Sequence, residues 1–162
     1  ENGQVNLNLQ RGRLSDVIEH AVAATGVQNS GLRVSRLLAQ ESIAIHTDLD
    51  RLAQVFINLI ANAQKYCDAE HPELSIRVLQ RDGHLVVDFV DNGSGIPSES
   101  QALIFEKFSR VSDQKKAGGA GLGLAICREI MARLGGAISY LPGQGGAAFR
   151  VSLPMKETLA AQ

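Results

Sequence analysis

The stretch LSIRVLQRDGHLVVDFVDNGSGIP, residues 74–97, decides the fold. LSIRVL (74–79) and HLVVDFV (84–90) are rich in β-branched and large apolar residues, as strands are. Gln80-Arg81-Asp82-Gly83 joins them, and its Asp-Gly pair is a hairpin signal because such pairs accept the positive φ of a primed turn. Strands joined this tightly are antiparallel, which excludes an all-parallel sheet. The second strand runs into VDNGSGIP (90–97), placing an acid, an amide and two glycines at the end of a buried strand. Gly93 and Gly95 let the backbone turn and approach a planar group without Cβ obstruction. Asp91 would then accept a hydrogen bond from an exocyclic amine such as that of adenine. Read alone, the peptide serves equally well as a plain Asp-Asn-Gly turn.

On either side of the hairpin, helical and strand patterns alternate. Ser15 would cap a helix carrying Val17, Ile18, Ala21 and Val22 at helical spacing until Gly26 stops it. RVSRLL (33–38) and SIAIHT (42–47) read as short strands. The strongest helix runs from about Asp50 to Tyr66, with Leu52, Val55, Phe56, Leu59, Ile60 and Ala63 facing a core. Burying the five larger of these side chains contributes roughly 1.5 to 3 kcal/mol each before entropy is subtracted. Ser98 and Gln101 form a candidate capping box for a short helix ending near Phe105, and a further helix spans about Leu122 to Leu134 before Gly135 and Gly136. ISYL (138–141), the turn PGQGG (142–146) and AAFRVSL (147–153) make a second hairpin. The expected fold class is α+β: a two-layer sandwich of a mixed, mostly antiparallel sheet with helices on one face. Residues 1–14, polar at the outset and without a period over the first ten, read as the tail of a preceding segment; 15–156 form one domain and 157–162 a C-terminal tail.

Composition sets the outer limits. The 162 residues suit one domain, and 44% hydrophobic with 20% charged residues is ordinary for a globular chain. A formal charge of −1 removes the field that announces nucleic-acid or anionic-membrane binding, and no apolar run approaches the roughly 18 residues of a membrane span. Cys67 and Cys127 lack ligand spacing and read as reduced, packed thiols. Metal-ligand clusters and internal repeats are absent from the pattern.

Two further stretches bear on chemistry. Gln54, Asn58, Asn62 and Lys65 fall within roughly 80° of one another around the long helix, at about 100° per residue. Such a polar line is ordinarily a solvated face, yet asparagine is an indifferent helix former where Glu or Lys would be cheaper. An amide carbonyl is a good ligand for a hard cation such as Mg²⁺, and Lys65 would complement phosphate oxygens. GGAGLGLAI (118–126) places glycines directly before a helix, where free N–H groups and the helix dipole favour an anion such as phosphate. Alone it also reads as a plain connector. GxxxxGK[ST], GxGxxG and HRD are all missing, so the usual ATP folds are excluded.

The order of these stretches is more specific than any one of them. NLIANAQKY (58–66), VDNGSGIP (90–97), IFEKFSR (104–110) and GGAGLGLAI (118–126) resemble, in sequence and order, the N, G1, F and G2 boxes of the catalytic ATP-binding domain of sensor histidine kinases. That domain shares its nucleotide fold, the Bergerat fold, with gyrase, the MutL repair proteins and the heat-shock chaperone ATPases. The resemblance covers residues 15 to 154 and implies that Asp91 binds the adenine amino group while Gly93, Gly95 and Ile96 shape the adenine pocket. It implies that Asn62 coordinates Mg²⁺ with Asn58 nearby, that Lys65 approaches the phosphates, and that Tyr66 approaches adenine or ribose. Phe105 and Phe108 match the F box, the segment from about Ser98 to Ala120 would be a lid over ATP, and Arg110 is a lid cation for the γ-phosphate. Lys115 and Lys116 are favoured as solvated loop charge, while Gly119, Gly121, Leu122 and Gly123 would present backbone N–H groups to the phosphates. Ala120 stands where many relatives carry a hydroxyl, and GQGGAAF (143–149) where GxGSxF is common; both remove hydrogen bonds that bear on affinity.

The related ATPases carry a Glu that activates water four residues before the metal-binding Asn. Here that position is Asn58, which cannot act as a general base, and this favours phosphoryl transfer over hydrolysis. His20, His46, His71 and His84 are followed by Ala, Thr, Pro and Leu, whereas the family's phosphorylated His is usually followed by an acid. The resemblance therefore implies an acceptor His on a dimerising helical hairpin before residue 1, and indirectly a response regulator. It implies a monomeric fragment without direct membrane contact, a cytoplasmic part of its parent protein. The alternatives are a free-standing ATPase or an anti-sigma-type serine kinase of the same fold, and a degenerate binding module.

Overall fold

The computed structural model describes residues 6–106 and 118–155, with the backbone alone over 118–123. Its elements are β1 (Gln10–Arg13), α1 (Leu14–Thr25), a 3₁₀ turn (Val27–Asn29), β2 (Arg33–Arg36), α2 (Leu38–Glu41), β3 (Ala44–Thr47) and α3 (Leu49–Tyr66). There follow β4 (Glu73–Arg81), β5 (His84–Asp91), α4 (Ser98–Gln101), α5 (Gly118–Arg133), β6 (Ala137–Tyr140) and β7 (Ala148–Pro154). Five strands make one sheet in the order β2-β4-β5-β7-β6, with β2 parallel to β4 and the other pairs antiparallel. The expected α+β sandwich with a mixed, mostly antiparallel sheet is thus the fold found.

The Asp-Gly pair fixes the register at its centre. Asp82 (φ 51°) and Gly83 (φ 74°) both take the left-handed conformation, and β4 zips onto β5 from Arg81↔His84 to Leu74↔Asp91. A turn of this kind matches the right-handed twist of the strands it joins. On its other edge β5 pairs with β7 from His84↔Pro154 to Val90↔Ala148, so β5 is a central strand, buried from Leu85 to Asp91. Its end is therefore a fixed place in the molecule.

Helices α1, α3 and α5 supply the core on one sheet face. Leu14, Val17, Ile18, Ala21 and Val22 of α1 and Leu52, Val55, Phe56, Leu59, Ile60 and Ala63 of α3 are buried. Phe56 meets Phe89 of β5 with ring centroids 5.2 Å apart. On the opposite face Asp88 and Arg150, directly across from each other in register, share two hydrogen bonds of 2.9 Å. A charged row can lie there because that face lies outside the helix-packed core.

Several boundaries differ from the sequence reading, each for a local reason. Gln10–Arg13, read as part of a tail, form β1 and pair antiparallel with β3 in a separate two-stranded ribbon. SIAIHT accordingly contributes a strand to that ribbon and none to the main sheet. Ser15 does not cap α1: the helix begins at Leu14, whose N–H donates to the Ile43 carbonyl at 2.9 Å, so neighbouring backbone does the work of a cap. RVSRLL ends as a strand at Arg36, because the Arg36 guanidinium turns back onto Glu41 of α2 with hydrogen bonds of 3.1 and 2.7 Å. Ser98 and Gln101 form no capping box; Gln101 donates to the Ile96 carbonyl at 2.9 Å, and α4 stops at Gln101. Among the described residues, no helix is long and apolar enough to cross a membrane.

Candidate functional site

Helix α3 sets one wall. Asp48 caps it by accepting the Arg51 N–H at 3.2 Å, and the same carboxylate accepts the Asn8 N–H at 2.9 Å, fastening the entering chain to the helix start. On the polar line, Gln54 and Lys65 are exposed while Asn58 and Asn62 are half-buried. Asn58 Nδ2 lies 3.5 Å from the Cys127 sulfur of α5. Burial pushes the Cys127 thiol up to about 11, against a downward pull from Asn58, so the sulfur stays protonated. Asn62 Nδ2 is buried with no hydrogen-bond partner among the described residues. Lys65 Nζ sits 5.7 Å from the Tyr66 ring centroid, at the C-terminal end of the helix.

The end of β5 sets the second wall. Asp91 is buried, and its Oδ1 accepts the Gly93 N–H at 2.8 Å and the Ala147 N–H at 3.1 Å. Its Oδ2 takes no hydrogen bond from the described residues, so one oxygen is held by the fold and the other is left to accept. Gly146 seats against the same residue: a Cβ there would lie 2.1 Å from the Asp91 carbonyl oxygen. The GQGGAAF turn, which lacks the family's hydroxyl, thus grips Asp91 through backbone. Gly95 (φ 86°) occupies left-handed backbone, and the next residue, Ile96, donates its N–H to the Tyr140 hydroxyl at 3.2 Å.

Behind that loop, aromatic rings link the pieces. Tyr140 packs on Phe149 at 5.3 Å and Phe149 on Phe105 at 6.3 Å, both edge to face, and Arg128 of α5 stands over Phe105 at 5.9 Å. Phe105 of the third stretch is therefore anchored to the sheet and to α5. Helix α5 itself begins at Gly118, earlier than the sequence predicts, so the glycines form its opening turns. Its first N–H groups still lack intrahelical partners, as at any helix start. Gly119, Gly121, Leu122 and Gly123 belong to that backbone, while Phe108, Arg110, Lys115 and Lys116 lie outside the described residues.

Sequence reasoning missed the groups that tie these walls together. Asn92 Oδ1 accepts the Glu73 N–H at 2.8 Å and the Cys67 thiol at 3.3 Å, while Asn92 Nδ2 donates to the His71 carbonyl at 3.0 Å. Asp68, two residues after α3, accepts both the Ser94 N–H (2.8 Å) and the Ser94 hydroxyl (2.7 Å). Those bonds, the hydroxyl's first, hold its carboxyl below the usual carboxylate range. A loop acid after a helix gives no sequence signal of such a role; Tyr140, alternating with Ile138, gives a faint one. A concavity of about 310 Å³ lined by Leu7, Leu9, Ile45, Leu85 and Leu153 shares no residue with these walls.

Chemically, the site offers a carboxylate oxygen for an amine, glycines for a flat ring, amides and a lysine along one helix, and the start of another helix. Groups of these kinds are chemically suited to a nucleotide. The family described as histidine kinase-, DNA gyrase B- and HSP90-like ATPases matches residues 47–157, and the chain belongs to it. The chain is 35% identical over 159 residues to the sensor protein KdpD of Escherichia coli, covering 96% of this chain and 17% of KdpD. Among solved structures it is similar to the catalytic domain of histidine kinase ThkA in a nucleotide-free form, with a TM-score of 0.76, 24% identity, and 92% and 97% of the two chains covered. It is also similar to the mycobacterial sensor histidine kinase MprB, with a TM-score of 0.72, 25% identity, and 90% and 97% covered. The chain spans about a sixth of KdpD's length.

Magnesium is tested by the donor set. Among the described residues no cluster of three or more His, Cys, Asp or Glu side chains is placed to hold a metal. Mg²⁺ in nucleotide sites needs only one or two protein oxygens beside phosphates and water. The Asn62 side-chain oxygen would supply such a donor, and the Nδ2 beside it is tied to no described residue.

Proposed function

We propose that this chain is the catalytic part of a sensor histidine kinase, binding Mg-ATP and passing the γ-phosphoryl group to a histidine on a helix of its parent protein. The observation that carries the reading is the division of labour at Asp91: Oδ1 is satisfied by two backbone N–H groups, and Oδ2 is left to accept the adenine amine. Gly93, Gly95 and Ile96 line the adenine, and Tyr66 its ribose side. Asn62 would hold Mg²⁺, with Asn58 beside it, and Lys65, Arg110, Phe108 and the backbone of Gly119, Gly121, Leu122 and Gly123 would enclose the phosphates.

Bound magnesium supplies charge neutralisation on the phosphate oxygens. The chain's own residues orient the nucleotide, and Asn58 cannot take a proton from water. A neutral imidazole is already nucleophilic, so in-line positioning suffices for transfer. The partners are a His-bearing dimerisation domain of the same protein and, through it, a response regulator; the site is cytoplasmic and the fragment a monomer.

The test incubates the protein with Mg²⁺ and γ-labelled ATP, then adds the His-bearing helices. Bound ATP stays intact until the helices arrive, and label then appears as acid-labile phosphohistidine. Free phosphate released before addition, and absent from Asp91→Asn, identifies an ATPase instead; acid-stable label on a protein partner identifies a serine kinase.

A further inference from the structure

We infer that Asp68 is a positioning residue for the adenine end of the nucleotide, a clamp that holds the Gly93–Gly95 loop to the C-terminal end of α3. The inference rests on the ATP reading above, and it assigns a role to a residue outside the four motif stretches. Its carboxylate accepts from Ser94 twice, through the N–H at 2.8 Å and the hydroxyl at 2.7 Å. One oxygen is thereby committed to backbone and the other to side chain, which fixes both the loop's position and its rotation.

The neighbouring geometry says why a clamp is needed there. A Cβ at Gly93 would lie 2.8 Å from Asp68 Oδ1 and 3.3 Å from Asp91 Oδ1, so this glycine is squeezed between the clamp and the proposed adenine acid. Gly93 N–H goes to Asp91 and the next N–H, that of Ser94, goes to Asp68. Two successive amides thus point to two carboxylates, one on β5 and one just beyond α3. The loop cannot swing away from Asp91 without breaking the Asp68 bonds. Asp68 is exposed, so its bonds add little to the stability of the fold while they restrict a glycine-rich loop whose alternative conformations compete with binding. Asn62 lies near the end of α3 and Asp68 two residues beyond it, so the clamp also fixes the spacing between the adenine and phosphate ends.

The experiment measures Kd for Mg-ATP, for ADP with Mg²⁺ and for ADP without it, in the wild-type chain, Asp68→Ala and Asp68→Asn. Amide exchange at Ser94 and the melting temperature of nucleotide-free protein are followed alongside. Asp68→Ala should weaken all three ligands alike by about fivefold, the scale of one or two exposed charge-assisted bonds. Ser94 exchange should rise locally and the melting temperature barely change. Asp68→Asn should restore most of the affinity, since its oxygen still accepts the Ser94 N–H and its NH₂ can donate to the hydroxyl oxygen. Unchanged Kd values in Asp68→Ala overturn the proposal. So does a loss confined to magnesium-containing samples, which would make Asp68 a metal ligand, or a general rise in exchange with lowered melting. A wild-type chain that binds no adenine nucleotide refutes the ATP reading itself, and is distinguishable from these.

Discussion

Replacing Asp91 by asparagine separates the residue's two tasks. In the native chain Oδ1 receives Gly93 N–H at 2.8 Å and Ala147 N–H at 3.1 Å, and Oδ2, unbonded among the described residues, is the atom proposed to meet the adenine amine. In Asp91→Asn the amide oxygen keeps both backbone bonds, because the opposite orientation would set an NH₂ group against two N–H donors. The donor is then driven to the ligand side, where it meets the adenine amine donor to donor. One charge-assisted bond is lost and a buried donor is left opposed, together about 3 kcal/mol, or roughly a hundredfold in Kd. Folding should hardly change. Asp91→Ala instead orphans the buried Gly93 N–H and the half-buried Ala147 N–H at about 1 to 3 kcal/mol each, which for a chain of this size lowers the melting temperature by about 10 °C. Calorimetric titration with Mg-ATP and thermal unfolding of both variants test the argument. Asp91→Asn binding within about threefold of wild type, or melting as low as Asp91→Ala, would refute it.

Gly146→Ala must move its new Cβ from 2.1 Å of the Asp91 carbonyl oxygen, so the turn has to retreat; melting and ATP titration should both show loss, and unchanged affinity would mean the turn does not set Asp91. Arg36→Ala leaves the fully buried Glu41 carboxylate without its guanidinium, at a cost of about 3 to 5 kcal/mol in a urea titration; adding Glu41→Ala in the same chain should recover part of it. At pH 8 the Cys127 thiol, pushed up to about 11 by burial, is ionised about one part in a thousand, so iodoacetamide should label Cys67 first. Cys127 labelling should climb only as pH approaches 11 or the chain unfolds, and mass spectrometry of the digested protein reads both.

What could be read in advance was what depends on local chemistry. The Asp82-Gly83 turn declares its hairpin because few other pairs accept two positive φ values, and the apolar stripe of α3 declares its buried face. β1 stayed hidden because QRGR has no apolar alternation: the ribbon it forms with β3 is held by backbone, which any sequence supplies. The start of α1 was misplaced for the same reason, since the Ile43 carbonyl replaces the side-chain cap. In the site, Asp91 and the glycines were legible as a motif, whereas Asp68 and Tyr140 act on the loop from 26 and 44 residues away. Such pairings become visible only when the sheet brings them together.

The central position of β5 has a thermal consequence. A strand paired along both edges and covered by helices on one face does not fray separately, so its amides should exchange with solvent chiefly when the whole domain opens. Asp91 is the last residue of that strand. The proposed recognition group therefore sits on the slowest-exchanging strand, and any softness needed for a nucleotide to enter and leave would come from loops around it. Stability and recognition are drawn from the same strand, so a substitution that loosens β5 should cost affinity at temperatures well below melting.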